Sequence, residues 1–222
     1  MSKRAGAYYD GLSERIAIPG FTGTARDAAF DDDKLRSAGI RLAYPELNPL
    51  PPGVKTGILL EAGFDQVAPN RPCLISSWAY DKAVESGLGD LTDNRAIDVP
   101  CYEPGYTLVE KLQTISTKYR HQQATGTMPQ NFLRHYYDVH CLLGDAGVQA
   151  FIGSEAYIAH KEKRFPAADE KNLIRNPAFH LEDEGTRRAY AAAYTKTRAL
   201  YYRDQPPLED ILERIAKDIA RL

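Results

Sequence analysis

An apolar stripe of helical spacing in the second half of the chain most constrains how this sequence can fold. Four residues recur every three or four positions and would lie along one side of an α-helix: Leu108, Leu112, Ile115 and Tyr119. Thr107 and Glu110 have the spacing of a capping box, in which both side chains bond free amides at a helix start. The sequence therefore predicts a helix over residues 107–121, with Lys111 beside its apolar stripe.

The pattern stays helical to the C-terminus. Pro129 suits the first turn of a helix that ends near Gly144, on which Arg134 and Asp138 share the face opposite the apolar residues. Further helices are predicted over three ranges, residues 147–163, 183–201 and 208–221.

Strand patterns dominate the preceding region. Residues 39–44 and 55–65 alternate apolar and other side chains, so they predict a hairpin joined by a proline-rich connection. A third strand is predicted over residues 95–102, and helices near the N-terminus and over residues 76–85. Residues 20–36 are predicted to form a glycine turn and a charged connector. The fold class is therefore α+β, with an α/β domain over residues 1–105 and a helical domain over residues 106–222.

Composition limits the class of protein. With 43% hydrophobic residues among 222, the chain can bury a substantial core. A formal net charge of -2 provides no global basic field, so any nucleic-acid contact needs a local patch. Cys73, Cys101 and Cys141 are odd in number and far apart in sequence, which favours reduced thiols. No apolar run has the length of a signal peptide or a membrane span, so a cytoplasmic protein without a membrane partner is predicted.

Several familiar sites are not indicated. His135 and His140 are separated by about 140 degrees around a helix and cannot share a metal as an i,i+4 pair does. The sequence contains no phosphate-binding P-loop, dinucleotide-binding glycine motif or serine-hydrolase elbow. Asp31 and Asp33 have the spacing of a metal clamp, but their charged surroundings favour a solvated turn.

Four charged residues stay open to two interpretations. Glu61 lies in an apolar strand, and it is either exposed, in a structural ion pair, or catalytic. Arg134 and Asp138 have the spacing of an ordinary ion pair on a helix surface, and Lys111 alone would be a solvated lysine. Composition favours the structural interpretation for each of them.

The order of these segments resembles a known family. Gly39-Ile-Arg-Leu-Ala-Tyr44, Gly57-Ile-Leu-Leu-Glu61-Ala-Gly-Phe, Glu110-Lys111-Leu112 and Arg134-His-Tyr-Tyr-Asp138 follow one another as in the middle and C-terminal portion of the AbiEii/AbiGii nucleotidyltransferase toxins. The resemblance runs from about residue 25 to the C-terminus. It implies a polymerase-beta-like nucleotidyltransferase core with a helical C-terminal domain, acting as the toxin of a bacterial toxin-antitoxin or abortive infection system.

The resemblance also implies roles for individual residues. Lys111 matches the lysine expected at the nucleotide phosphates, and Asp138 with Arg134 matches the final helix motif. Glu61 matches a carboxylate on the third strand motif, on the metal or acceptor side. The implied ligands and partners are an NTP, Mg2+, an acceptor for which RNA is the candidate, and a cognate antitoxin.

One departure from the family is large. Its glycine-serine turn and its Asp-x-Asp metal strand do not occur before Gly39, so the sequence predicts a truncated nucleotidyltransferase sheet whose main Mg2+ ligands are missing. Weak or absent catalysis by this chain alone is expected, as is an exposed sheet edge that a homodimer would cover. The alternative function is a non-catalytic remnant that binds the antitoxin or another protein.

Overall fold

The computed structural model describes residues 2–50, 55–129, 131–201 and 204–222, so part of the proline-rich connection predicted after residue 44 lies outside the described residues. The chain divides into two compact units, Met1–Val67 and Ala68–Leu222. The domain boundary predicted at residues 105–106 falls inside the second unit, and that division stays a prediction. The α+β fold class is confirmed: small antiparallel sheets precede a helical C-terminal half.

The first unit is a three-stranded antiparallel sheet with one long helix. Helix α1 spans Ser2–Arg15, and strands β1 (Gly23–Asp27), β2 (Ser37–Ala43) and β3 (Ile58–Gly63) lie in the order β1-β2-β3. The predicted hairpin of the second and third strands is confirmed, with Gly39 opposite Glu61. Strand β1 was not predicted, because Thr24 is its one β-branched residue and it has no aromatic residue; pairing with β2 stabilises it instead.

Close contacts with the rest of the first unit are made at the middle strand, β2, and at the residue before it. Ile40 is fully buried, and a Cβ atom at Gly39 would lie 2.7 Å from the Cβ of Phe30, so no larger residue fits there. Tyr9 of α1 is also fully buried and donates a hydrogen bond from its hydroxyl to the carbonyl of Arg36 at 2.9 Å. The Tyr9 hydrogen bond fixes α1 beside the start of β2.

The second unit begins with a two-stranded sheet and a short helix. Strand β4 (Asn70–Ile75) pairs antiparallel with β5 (Ala96–Tyr102), and helix α2 (Trp78–Glu85) lies between them in sequence. A proline-rich bend was predicted where β4 lies. That prediction was wrong for residues 70–72, because these residues belong to strand β4. Pro72 lies opposite Pro100, and the sheet tolerates both prolines because no backbone amide has to donate a hydrogen bond at that pair.

This pairing brings two cysteines together. Cys73 lies opposite Val99, so Cys101 is its diagonal neighbour on the same face of the sheet. Burial and the hydrogen bond with the Cys73 thiol raise the pKa of the Cys101 thiol. Separation along the sequence therefore did not mean separation in space, although all three cysteines are free thiols as predicted.

Six α-helices lie in the described part of the rest of the second unit. They are α3 (Pro104–Thr125), α4 (Arg134–Leu142), α5 (Ala146–Phe151), α6 (Glu155–Arg164), α7 (Glu184–Thr195) and α8 (Leu208–Asp218). The predicted capping box was wrong: α3 starts one turn earlier, at Pro104, and the amide of Thr107 bonds the carbonyl of Glu103. Proline is favoured at a helix start because its ring already has helical φ and its missing amide is not needed there. The helix predicted over residues 147–163 is divided at Gly153, whose φ is 81°.

The core of the second unit follows the predicted stripe. Leu108, Leu112 and Ile115 of α3 are fully buried, and they belong to one apolar cluster with residues of α4 and α8 such as Tyr136 and Ile211. No helix in the described part of the chain is long and apolar enough to span a membrane. Burial of its apolar stripe orients α3, so residues at the edge of that stripe face α4.

Candidate functional site

An ion pair between α3 and α4 forms the centre of the candidate site. The Nζ atom of Lys111 lies 2.8 Å from Oδ2 of Asp138. Lys111 precedes the buried Leu112, and Asp138 precedes the buried Val139, so apolar packing places both charged side chains at the helix boundary. Their side chains are 29% and 33% exposed, which leaves the pair open to a ligand on one side.

His135 lies one turn before Asp138 on the same helix. It is only 7% exposed, its Nδ1 is 3.7 Å from Oδ2 of Asp138, and that nitrogen has no hydrogen-bond partner among the described residues. Burial lowers the pKa of His135, and Lys118 and Lys111 lower it further, although the Asp138 carboxylate raises it in part. The imidazole is therefore neutral near neutral pH.

Asp138 stays ionised in this setting. Burial alone would raise its pKa, but the interactions with His135 and Lys111 outweigh burial, and the pKa lies below its ordinary value. An ionised carboxylate beside the ammonium group restricts where Lys111 can place its Nζ atom. The arrangement holds a cation at a defined point on the surface.

Two more cations lie close to this pair. Lys118 follows Lys111 by two helical turns on α3 and is half-buried, while Arg134 is exposed at the start of α4. Burial lowers the pKa of Lys118, and the nearby charges of Arg134 and Lys111 lower it further. Three cations and one carboxylate thus produce a local excess of positive charge that suits an anionic ligand.

Glu61 belongs to the other unit. Glu61 is exposed on β3, which agrees with its interpretation as a solvent-exposed residue. The structure brings Lys111 and Asp138 into direct contact and Arg134 into the same charged cluster. The alternative of an Arg134–Asp138 ion pair was wrong, since among the described residues Asp138 pairs with Lys111 and His135 instead.

The described residues do not fit a magnesium ion. Mg2+ requires octahedral oxygen ligands, commonly carboxylates. No group of three or more histidine, cysteine, aspartate or glutamate residues that could hold a metal occurs in the described ranges. Glu61 therefore does not lie in a group of donors here, and the metal role predicted for it stays a prediction.

Sequence reasoning missed two residues of this cluster. Lys118 carried a signal, because its spacing of seven from Lys111 places both on one face of α3. His135 was considered as a metal ligand with His140, whereas its spacing of three from Asp138 was the informative one.

Comparison with known proteins relates nearly the whole chain to a protein family. A family model described as "Nucleotidyl transferase AbiEii toxin, Type IV TA system" matches residues 4–214. No curated protein and no solved structure matches the chain.

Proposed function

Because the chain belongs to the AbiEii nucleotidyl transferase toxin family, we propose that its α3–α4 site binds the phosphates of an NTP during transfer of a nucleotide to an acceptor. RNA is the candidate acceptor. The toxin would act within a toxin-antitoxin system whose antitoxin is its natural partner.

The Lys111–Asp138 pair is the observation that carries this proposal. Nucleotide transfer releases pyrophosphate, so negative charge grows on the leaving oxygen and on the phosphates behind it. A fixed cation at that position stabilises the transition state more than the ground state. Lys111 is that cation, Asp138 positions its Nζ atom, and Arg134 binds the outer phosphate oxygens.

A nucleotide-binding measurement with matched variants tests the proposal. Isothermal titration of each of the four NTPs is compared for the wild-type chain, Lys111→Ala, Asp138→Ala and the control Lys217→Ala, which removes an exposed lysine on α8. Loss of one charged hydrogen bond to phosphate weakens binding by about tenfold or more at Lys111, and Lys217→Ala has no effect. Equal affinities for all four proteins would refute the phosphate-binding role.

Transfer itself is measured in the same samples. Each NTP carries a radioactive α-phosphate, and total RNA serves as the acceptor. Transfer by this chain is supported if the wild-type chain labels RNA and the Lys111→Ala and Asp138→Ala variants do not. Nucleotide binding without any label transfer contradicts catalysis by the chain alone and supports a site that only binds.

A second candidate function, protein binding, is favoured by exposed apolar residues of the second unit. Apolar side chains are exposed on β4, α2 and β5, which are consecutive in sequence, including Leu74, Trp78 (69% exposed) and Ile97 (76% exposed). Apolar side chains that are exposed together mark contact sites in soluble proteins. The proposed occupant is the cognate antitoxin. Trp78→Ala should abolish co-purification with the antitoxin, and unchanged co-purification would reject this candidate.

A further inference from the structure

We propose that Lys118 is a further phosphate-binding cation of this site, and that Lys111, Lys118 and Arg134 together select a triphosphate over shorter phosphate anions. The inference rests on the proposed function and deepens it. Neither the family motifs in this sequence nor the Lys111–Asp138 pair assigns a role to Lys118.

The position of Lys118 supports this role. It lies seven residues after Lys111, so the two side chains leave the same face of α3 about 10 Å apart along the helix axis. Arg134 approaches from α4, which packs against α3. Long, flexible lysine and arginine side chains can converge from these points on one extended anion.

The lack of an acidic partner is the second observation. Several other partly buried cations among the described residues are paired, as Arg41 is with Asp27 and Arg164 with Glu110, each within 3 Å. Lys118 is half-buried, yet no ion pair to a carboxylate is found for it in the described ranges, and the charges that act on it most are cations. Burial of an ammonium group without a carboxylate partner destabilises the unliganded protein, and binding of an anion offsets that cost.

The remaining groups around it do not balance this charge. Asp138 is the carboxylate of the cluster and is already bound to Lys111. His135 is buried, and its Nδ1 has no hydrogen-bond partner in the part of the chain that the structure describes; its pKa is lowered, so it adds no charge near neutral pH. The cluster therefore has an excess positive charge before a ligand binds, which is the usual condition of an anion site.

The proposal predicts a graded loss of affinity. Inorganic tripolyphosphate, pyrophosphate and orthophosphate, without nucleoside or metal, are titrated into the wild-type chain, Lys118→Met, Lys118→Arg and the control Lys217→Met. Methionine keeps an apolar stem of similar length but removes the charge. Lys118→Met should bind tripolyphosphate about tenfold more weakly, which equals ~1.4 kcal/mol. Pyrophosphate and orthophosphate should lose less, and Lys118→Arg should retain the preference for tripolyphosphate.

Thermal unfolding supplies a readout that a structural lysine would not share. Because Lys118→Met removes repulsion from Arg134 and Lys111, it should raise the melting temperature without an anion and reduce the increase that tripolyphosphate causes. A lower melting temperature of the unliganded variant would overturn the inference.

The outcomes separate this inference from the proposed function. If Lys111→Met loses tripolyphosphate binding while Lys118→Met binds as the wild type does, the role of Lys118 is rejected and the proposed function stands. If the wild-type chain binds none of the three anions, the phosphate site is rejected altogether. Equal losses for all three anions in Lys118→Met would overturn the selection of triphosphate.

Discussion

The Lys111–Asp138 ion pair allows a quantitative prediction. A double-mutant cycle with Lys111→Met, Asp138→Asn and both together isolates the interaction energy of the two side chains. Each replacement keeps the approximate shape of the side chain and removes its charge. Measured this way, the interaction between the two side chains is separated from the packing of their stems.

The expected magnitude follows from the geometry. Fully exposed pairs contribute about 0–1 kcal/mol, and breaking a fully buried pair costs about 3–5 kcal/mol. At 2.8 Å, and with side chains 29% and 33% exposed, this pair lies between these cases. We expect an interaction energy of about 1–2 kcal/mol. Asp138→Asn should cost more than Lys111→Met, because Asp138 also faces the buried His135.

The pair should respond to acid in a defined direction. The folded-state pKa of Asp138 lies below its unfolded value of 3.8, so the folded protein binds fewer protons than the unfolded chain between those two values. Its contribution to stability is therefore fully present above pH 3.8 and is lost as the pH falls through the lower, folded-state value.

The assay is urea unfolding followed by far-ultraviolet circular dichroism, to which the helical second unit contributes most. The four proteins are compared near neutral pH and again in acid. An interaction energy within the ~0.3–0.5 kcal/mol error of additivity would refute the interpretation of Asp138 as the group that positions Lys111. So would an interaction energy that stays unchanged well below the folded-state pKa of Asp138.

Three further predictions concern the same unit. His135 has a folded-state pKa below 6.5, so the unfolded chain binds more protons than the folded protein as the pH drops below 6.5. Stability should therefore fall with the pH in that range, and the melting temperature of His135→Asn should depend less steeply on pH than that of the wild type. Gly105→Ala places a Cβ atom 2.4 Å from a ring carbon of Phe151. The cost of overpacking, about 1–3 kcal/mol, should exceed the ~1 kcal/mol gain in helix propensity, so the midpoint of urea unfolding should fall. An unchanged midpoint would contradict this expectation. Treatment with diamide, a thiol oxidant, should join Cys73 to Cys101, seen as a mass loss of the two thiol hydrogens and a linked peptide; a linkage of either residue to Cys141 would contradict the diagonal pairing.

Local patterns predicted most of the second unit. The stripe of α3 has one apolar residue per turn, so its burial follows from helical geometry whatever packs against it. Its start could not be derived in the same way, because both Thr107 and Pro104 are acceptable beginnings. The contacts before residue 107 decided between them, where the buried Gly105 packs against Phe151.

Strands whose stability depends on a partner were harder to predict. The sequence of β1 has little strand propensity, and β4 contains a proline, so neither segment is recognisable as a strand from its own sequence. The pairing of β4 with β5 also placed Cys73 beside Cys101, which no spacing along the chain indicates.

The sequence by itself determined the α+β class and the helical second half, and resemblance to a family predicted Lys111, Arg134 and Asp138 as site residues. These follow from periodicity and motif order, which are properties of the chain read locally. The tertiary structure decided which charges meet: Asp138 pairs with Lys111 across two helices. Lys118 is near enough to feel the charges of Arg134 and Lys111, and no ion pair to a carboxylate is found for it among the described residues. Electrostatic interactions depend on distance and burial in space, and both are set when α3 and α4 pack together.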